Sequence, residues 1–135
     1  MSGVKVIREL LANDSRVLAV VPSDRVVAGV LRQRMSLPAI TVHQVGDTEE
    51  PTLSRRTRSR LIRERVQVTV LANNWAEMKR VLKAVSLGPG VYTGLVKDVW
   101  VNSVLPLGAN PEMPPEEDGI YEQSRDFMVT FQEIN

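Results

Sequence analysis

Side chains that could carry chemistry are scarce in this sequence. Its 135 residues include a single histidine, His43, and no cysteine. A histidine-pair metal site, a zinc–sulfur site and thiolate catalysis are therefore excluded. His43 stands in an alternation of apolar and polar residues, which favours an ordinary side chain on the wet face of a strand over a catalytic base.

Other catalytic and ligand-binding motifs are also missing. No G-x-S-x-G segment is present to position a serine nucleophile. The spacing of Gly88, Gly90 and Gly94 fits neither of the phosphate-binding motifs G-x-G-x-x-G and G-x-x-x-x-G-K-[ST]. These glycines also follow a predicted helix, whereas both motifs follow a strand. The acidic stretch near the end of the chain lacks the alternating ligands of a calcium loop. The sequence therefore predicts no catalytic residue, cofactor or metal, and a protein that is not an enzyme.

Arginine is concentrated in one short region. Six of the 17 basic residues fall within eleven positions: Arg55, Arg56, Arg58, Arg60, Arg63 and Arg65. Guanidinium groups are suited to bidentate pairing with carboxylate or phosphate. Three interpretations stay open: a solvated loop partly neutralised by nearby acids, a contact with a protein partner, or a contact with nucleic acid. No aromatic residues interleave with the arginines, which weakens the case for binding single strands.

Acidic residues gather later in the chain. Residues 106–119 contain four prolines, and five carboxylates lie in or beside them: Glu112, Glu116, Glu117, Asp118 and Glu122. Proline and acid together predict an extended loop at about 105–120. The basic and acidic groups nearly cancel in the whole chain, with 17 of one and 16 of the other. No apolar run reaches the ~20 residues that span a membrane, so no membrane contact is expected.

The first half of the chain predicts a short helix followed by strands. Val4, Ile7, Leu10 and Leu11 recur at helical spacing, and Asp14 or Ser15 can cap a second short turn. Residues 24–31 are rich in valine and indicate a strand. Pro38 opens another strand, in which Ile40 and Val42 alternate with polar residues. Residues 46–60 lack an apolar period and are predicted to form a long loop.

The second half contains the most regular patterns. Val66, Val68 and Val70 alternate with polar residues, which is typical of a half-buried strand. A capping box of Asn74 and Glu77 then begins a helix with the apolar stripe Met78, Val81, Leu82 and Val85, and residues 88–90 (Gly-Pro-Gly) end it. Residues 95–104 and 127–131 indicate two more strands. The order predicts one α+β domain over residues 1–135, with a mainly antiparallel sheet and two or three helices packed on one face.

This arrangement resembles the tail terminator family of long-tailed bacteriophages, also called tail completion or head–tail joining proteins. The resemblance rests on the order of features. Leu37-Pro38-Ala39-Ile40 introduces a strand, and a long loop follows. The strand of residues 65–70 leads through a polar turn into the helix at Trp75-Ala76-Glu77. A proline-rich stretch precedes the closing strand, which begins at Arg125-Asp126-Phe127.

The resemblance implies a structural virion protein, made in the host bacterial cytoplasm and placed at the head–tail junction. Such a subunit would form a homo-hexameric ring that caps the tail tube, joins the head–tail connector and lets DNA pass without sequence-specific binding. We expect Arg55, Arg56, Arg58 and Arg60 to meet protein, including the acidic loop at Glu116 and Glu117 of a neighbouring copy. The alternative is a small nucleic-acid-binding module that uses the arginine-rich loop, and an enzyme subunit completed by another chain is a third interpretation.

Overall fold

The computed structural model describes residues 2–29, 36–50, 59–86, 93–115 and 119–134. The helices in these ranges are α1 (Ser2–Ala12), α2 (Ser15–Leu18) and α3 (Trp75–Ala84), with one 3₁₀ turn at Ser23–Arg25. The strands are β1 (Val26–Ala28), β2 (Ala39–Glu50), β3 (Ser59–Ala72), β4 (Gly94–Val96), β5 (Val99–Ala109) and β6 (Tyr121–Ile134).

The strands form one sheet in the order β1-β2-β3-β6-β5-β4. Every neighbouring pair is antiparallel except β1 and β2, which are parallel. The last strand, β6, is therefore inserted in the middle, where it pairs with β3 along its whole length from Tyr121 to Ile134. The α+β class and the mainly antiparallel sheet are confirmed.

The helices cover one face of this sheet, as the sequence predicts. Val66, Val68 and Val70 of β3 are fully buried on that face. The neighbouring Glu64 shares it and contacts the first turn of α1. Gln123, which pairs with Val70 in the sheet, accepts a hydrogen bond from Lys79 of α3. The opposite face carries polar side chains and is called the open face below.

Helix α1 begins against a buried carboxylate. Its apolar side is buried, with Val6, Ile7 and Leu11 fully inaccessible. The Gly3 N–H donates to Oε2 of Glu64 at 3.0 Å. The first N–H groups of a helix lack partners within it and carry partial positive charge, so a carboxylate placed there both satisfies and stabilises them. Glu64 is only 1% exposed, and α1 is thereby fixed to β3.

Helix α3 forms for the reasons visible in its sequence. The Asn74 side chain accepts the Glu77 N–H at 2.8 Å, and the Glu77 carboxylate accepts the Asn73 N–H at 3.2 Å. The first bond is the cap that the sequence predicts, whereas the return bond from Glu77 reaches Asn73 and not the Asn74 N–H of a standard capping box. Met78, Val81 and Leu82 are buried against the sheet. The helix ends at Ala84, and the predicted stop at residues 88–90 lies outside the described residues.

The predicted loop at 46–60 is wrong at both ends. Strand β2 continues to Glu50 and β3 already begins at Ser59, so strand pairing reaches Glu50 opposite Leu61. A register shift between Gln44 and Gly46 interrupts the alternation, and the residues beyond it are polar. Both strands continue here because their backbones pair with each other, although their side chains do not alternate between apolar and polar. Residues 51–58, the centre of the expected loop, lie outside the described residues.

Three further boundaries differ from the predictions. The strand expected at 24–31 is limited to Val26–Ala28, after the 3₁₀ turn, and residues 30–35 are not described. The strand expected at 95–104 is a hairpin, because Lys97 adopts φ +51° and turns the chain between β4 and β5. Strand β5 then runs to Ala109, which shortens the loop predicted at 105–120. Its proline, Pro106, is tolerated because β4 pairs only with residues 99–101, so this part of β5 is a sheet edge within the described chain.

Candidate assembly surface

The predicted interface residues lie almost entirely outside the described part of the chain. Arg55, Arg56 and Arg58 fall in residues 51–58, and Glu116 and Glu117 fall in residues 116–118. Their predicted contacts are neither confirmed nor contradicted. The backbone of the fourth arginine, Arg60, belongs to β3 and pairs with Glu133 of β6, and its side chain is not described.

The flanking strands nevertheless locate both segments within the fold. Residues 51–58 connect β2 to β3 at the end of the sheet where Ser59 pairs with Ile134. Residues 116–118 precede β6, whose first residue, Tyr121, pairs with Ala72 at the other end of β3. The two strands pair over fourteen residues. At 3.3 Å per residue the ends are about 43 Å apart. Basic and acidic segments therefore attach to opposite ends of one sheet.

Arg65, the last member of the arginine cluster, has an internal partner on the open face. Its guanidinium donates from Nε and Nη2 to Oδ2 of Asp126, both at 2.7 Å. Asp126 is 4% exposed, and its Oδ1 accepts a further bond from Asn110 at 2.9 Å. A buried carboxylate requires such compensation. Arg65 therefore has a structural role within the subunit.

His43 belongs to the continuation of this polar network. Its Nε2 lies 2.9 Å from Oε1 of Gln67, and Nε2 of Gln67 donates to the Ser124 hydroxyl at 3.2 Å. Ser124 also accepts from Asn110 at 2.8 Å. His43 thus lies on the face away from the helices, as expected from strand alternation. No nucleophile in this network has a geometry that the histidine would activate.

Exposed apolar residues form a feature that the sequence analysis missed. Leu95, Trp100 and Leu105 lie on β4 and β5, and Trp100 is 49% exposed. The signal was present, because Trp100 stands between the buried Val99 and Val101 and must point to the opposite face. Large exposed apolar side chains that cluster commonly mark contacts with other macromolecules.

A second exposed pair lies at the other end of the sheet. Trp75 is 51% exposed at the first turn of α3, and Met113 is 57% exposed beside the start of β6. The Met113 N–H donates to the carbonyl of Glu122 at 3.1 Å, which holds this part of the chain against β6. Both residue types are enriched at the centres of protein interfaces.

Glu112 links the two residues of this pair. Its carboxylate accepts the Trp75 indole N–H at 3.2 Å and forms an ion pair with Lys79. The Lys79 ammonium also lies 5.5 Å from the centre of the Trp75 ring. The hydrogen bonds from Lys79 and then from Trp75 lower the pKa of Glu112, so its carboxylate stays charged at neutral pH. Trp75 is exposed yet held in one orientation.

A cavity of about 440 Å³ lies beside β5, between the end of α1 and the sheet. Its walls are mostly apolar and include Leu10, Val96, Val104 and Phe127, and the polar residues that line it are Glu9, Asn13, Asp14 and Lys97. Such a lining suits a nonpolar group. Among the described residues, no three histidine or acidic side chains group as metal ligands. No helix in those same ranges is long and apolar enough to cross a membrane.

Comparison with known proteins shows similarity both to a protein family and to solved structures. A family model described as "Tail completion protein gp17" matches residues 5–87, more than half of the chain. A chain in a solved structure described as "Virion of native gene transfer agent (GTA) particle" has the same fold, with a TM-score of 0.71 and 14% sequence identity. That similarity covers 98% of this chain and 97% of the other. A search of curated proteins gave no match.

Proposed function

This chain belongs to the tail completion protein gp17 family, and from that premise we propose that it forms a ring that caps the phage tail tube. It is a structural protein of the phage tail and a component of the virion. In the proposed assembly about six identical subunits surround a channel through which DNA passes. One side of the ring contacts the tube protein, and the other contacts the head–tail connector.

The observation that carries the proposal is the family match, and the charge distribution of the fold supports it. A closed ring of identical subunits uses heterologous contacts, in which one surface of each subunit meets a different surface of the next. This chain offers two such surfaces, because residues 51–58 and residues 116–118 attach to opposite ends of the sheet, although Glu49, Glu50 and Glu133 lie on strands at the arginine end. An end-to-end contact would bring unlike charges together.

We infer that the arginines in such a ring contact protein. Arg55, Arg56, Arg58 and Arg60 in about six copies would place about two dozen cations around the channel if all faced DNA. Each phosphate contact releases counterions and adds affinity, so such a lining would hold DNA that must move. Arg55, Arg56, Arg58 and Arg60 instead pair with carboxylates, including Glu116 and Glu117 of a neighbouring copy. Such pairing orients the interface between subunits as well as strengthening it.

The same reasoning gives the protein no catalytic role. The family is one of structural virion proteins, and the polar network at His43 contains no activated nucleophile. Incubation with nucleotide, phosphoester and peptide substrates should give no turnover. Turnover that disappears on replacing one side chain would overturn this part of the proposal.

Electron microscopy of tails and a mass measurement in solution test the ring. Tails formed with the protein should show it at one end of the tube, and light scattering at high concentration should give a mass near six subunits. A monomer that never appears at tail ends would refute the proposal. Binding of DNA that weakens steeply with salt, together with absence from tails, would instead favour a small nucleic-acid-binding module.

A further inference from the structure

The cavity beside β5 has the size and the lining to receive large apolar side chains. Its volume is about 440 Å³, and its apolar walls include Leu10, Val104 and Phe127. Folded proteins contain few internal voids larger than a water molecule. An apolar cavity of about 150 Å³ is enough to hold a benzene ring. A concavity of this size therefore has room for an indole ring and a thioether chain together.

The charged side chains around this cavity are already paired within the subunit. Oε2 of Glu9 lies 3.4 Å from Nζ of Lys97, and Oδ2 of Asp14 lies 3.2 Å from Nη2 of Arg16. A charged ligand would have to compete with these pairs, whereas an uncharged one leaves both intact. The cavity therefore favours an occupant that is apolar and carries no net charge.

The same chain exposes a pair of side chains with this chemistry. Trp75 and Met113 are 51% and 57% exposed. The Trp75 indole N–H donates to Glu112, and the charge of Glu112 is balanced by Lys79. Burying the indole in an apolar cavity would therefore leave no donor without a partner. These contacts also restrain the ring, which reduces the free-energy cost of immobilising it on binding.

The exposed pair and the cavity lie at different places on one subunit. The Met113 N–H donates to the carbonyl of Glu122, near the start of β6. Phe127, a wall of the cavity, is five residues further along that strand. At 3.3 Å per residue the separation along β6 is about 16 Å. One chain thus carries both halves of a contact in which a surface meets a different surface of the next copy.

We propose that Trp75 and Met113 of one copy of this chain insert into the cavity beside β5 of a second copy. Both surfaces are apolar, and the charges beside each are balanced within their own subunit. The exposed half of Trp75 alone would bury about 100 Å², and the exposed Leu105 and Leu107 of β5 extend the surface around the cavity. The proposal rests on the ring proposed above, because it assigns a contact between copies, and it does not involve the arginines.

Disulfide cross-linking can map this contact because the chain contains no cysteine. Met113→Cys and Leu95→Cys place single thiols in the exposed pair and in the lining of the cavity, at positions that are 57% and 62% exposed. Oxidising a mixture of the two variants should give a covalent dimer that contains one copy of each. Val45→Cys is the matched control, because Val45 is 46% exposed on β2. Mixed with Met113→Cys, it should cross-link at least about tenfold less, since a disulfide requires Cα atoms within about 7 Å.

Removing each surface separately tests the direction of the contact. Replacing Trp75 and Met113 together with Ala, or Leu95 with Glu at the cavity, should weaken assembly at least about tenfold. A mixture of these two variants keeps one intact pair of surfaces, so it should form dimers and nothing larger. Val45→Glu is the control and should assemble like the wild type. Thermal melting should show that every variant is folded.

The salt dependence separates this contact from pairing by the arginines. Sodium sulfate strengthens the burial of apolar surface, so it should increase cross-linking between Met113→Cys and Leu95→Cys. A contact that depended on exposed ion pairs would weaken as the ionic strength rises. Cross-linking that falls with salt would therefore contradict an apolar contact.

The remaining outcomes distinguish this contact from the ring itself. If wild-type protein caps tails while Met113→Cys and Leu95→Cys give no cross-link, the contact is wrong and the ring stands. Preferential cross-linking between two copies of Met113→Cys would show a symmetric contact and would also overturn the proposal. If wild-type protein never reaches tail ends, the ring fails, and the mixed cross-link still decides whether the two surfaces meet.

Discussion

Replacing Gly3 with Ala is expected to destabilise the protein, although alanine is the better helix former. A Cβ atom at position 3 would lie 2.7 Å from Cδ and 2.9 Å from Oε2 of Glu64. Real Cβ contacts are longer, so either α1 or the carboxylate must shift. Glu64 is 1% exposed and lies on β3 in the centre of the sheet, so it has little room to move. The same shift would weaken the bond from the Gly3 N–H.

The expected magnitude follows from two opposing effects. Forcing an extra methyl group into a packed site costs about 1–3 kcal/mol. Alanine regains up to about 1 kcal/mol over glycine in a helix, and less in the first turn. The net loss should be about 1–2 kcal/mol, which lowers Tm by roughly 3–7 °C for a domain of this size. Thermal and urea unfolding followed by circular dichroism would measure it.

Gly46→Ala is the matched control. Its Cβ would have no atom within 4 Å, and its φ lies outside the left-handed region, so stability should stay the same or rise slightly. A second check shortens the opposing side chain. In a Glu64→Asp background Gly3→Ala should cost less, because the crowded Cδ position is vacated. A Gly3→Ala variant as stable as wild type would refute this account of how α1 is attached.

Other side chains give equally direct expectations. Val81→Asp should prevent stable folding, because an unpaired charge buried beneath α3 costs several kcal/mol, comparable with the whole stability of a small domain; an unchanged melting temperature would contradict the placement of α3. Asn74→Ala should cost about 1 kcal/mol by removing the α3 cap, while the exposed Arg80→Ala should change stability little. Burial raises the pKa of Asp14, but bonds from the Arg16 side chain and backbone and from the Val17 N–H outweigh this, so its pKa is lowered. The stabilisation is then present above the unfolded-state pKa of about 3.9 and is lost as the pH falls through the lower native value. Asp14→Asn should therefore reduce the loss of stability as the pH falls below about 4, and an unchanged acid titration would refute this.

The elements that were predicted correctly are those whose apolar pattern or capping residues lie within the element itself. The apolar stripe of α3 and its Asn74 cap depend on neighbours along the chain, and so does the alternation of Val66, Val68 and Val70. Glu64 follows the same alternation and was missed because the predicted strand began one residue later. A carboxylate on a buried face is compatible with folding only when a partner reaches it, and that partner comes from α1, sixty-one residues away.

The errors lie where pairing between distant segments decides the structure. Strand β2 continues through polar residues because β3 lies beside it, and β5 extends to Ala109 because β6 provides its hydrogen bonds. The turn at Lys97 lacks the usual Asn-Gly or Asp-Gly signal. Lys97 and Asp98 are instead paired with Glu9 and Lys5 of α1. The orientation of Trp75 likewise depends on Glu112, which no local pattern reveals.

The central position of β6 has a consequence for biosynthesis. All five other strands leave the ribosome earlier, yet β3 and β5 become neighbours only through β6. Until residues 121–134 are available, both strands present unpaired edges, which are prone to pairing with other chains. Contacts between β3 and β6 span about sixty residues, so loop closure makes their formation slow relative to that of the helices. Nascent chains crowded on one phage message are therefore vulnerable to misassembly until the closing strand arrives.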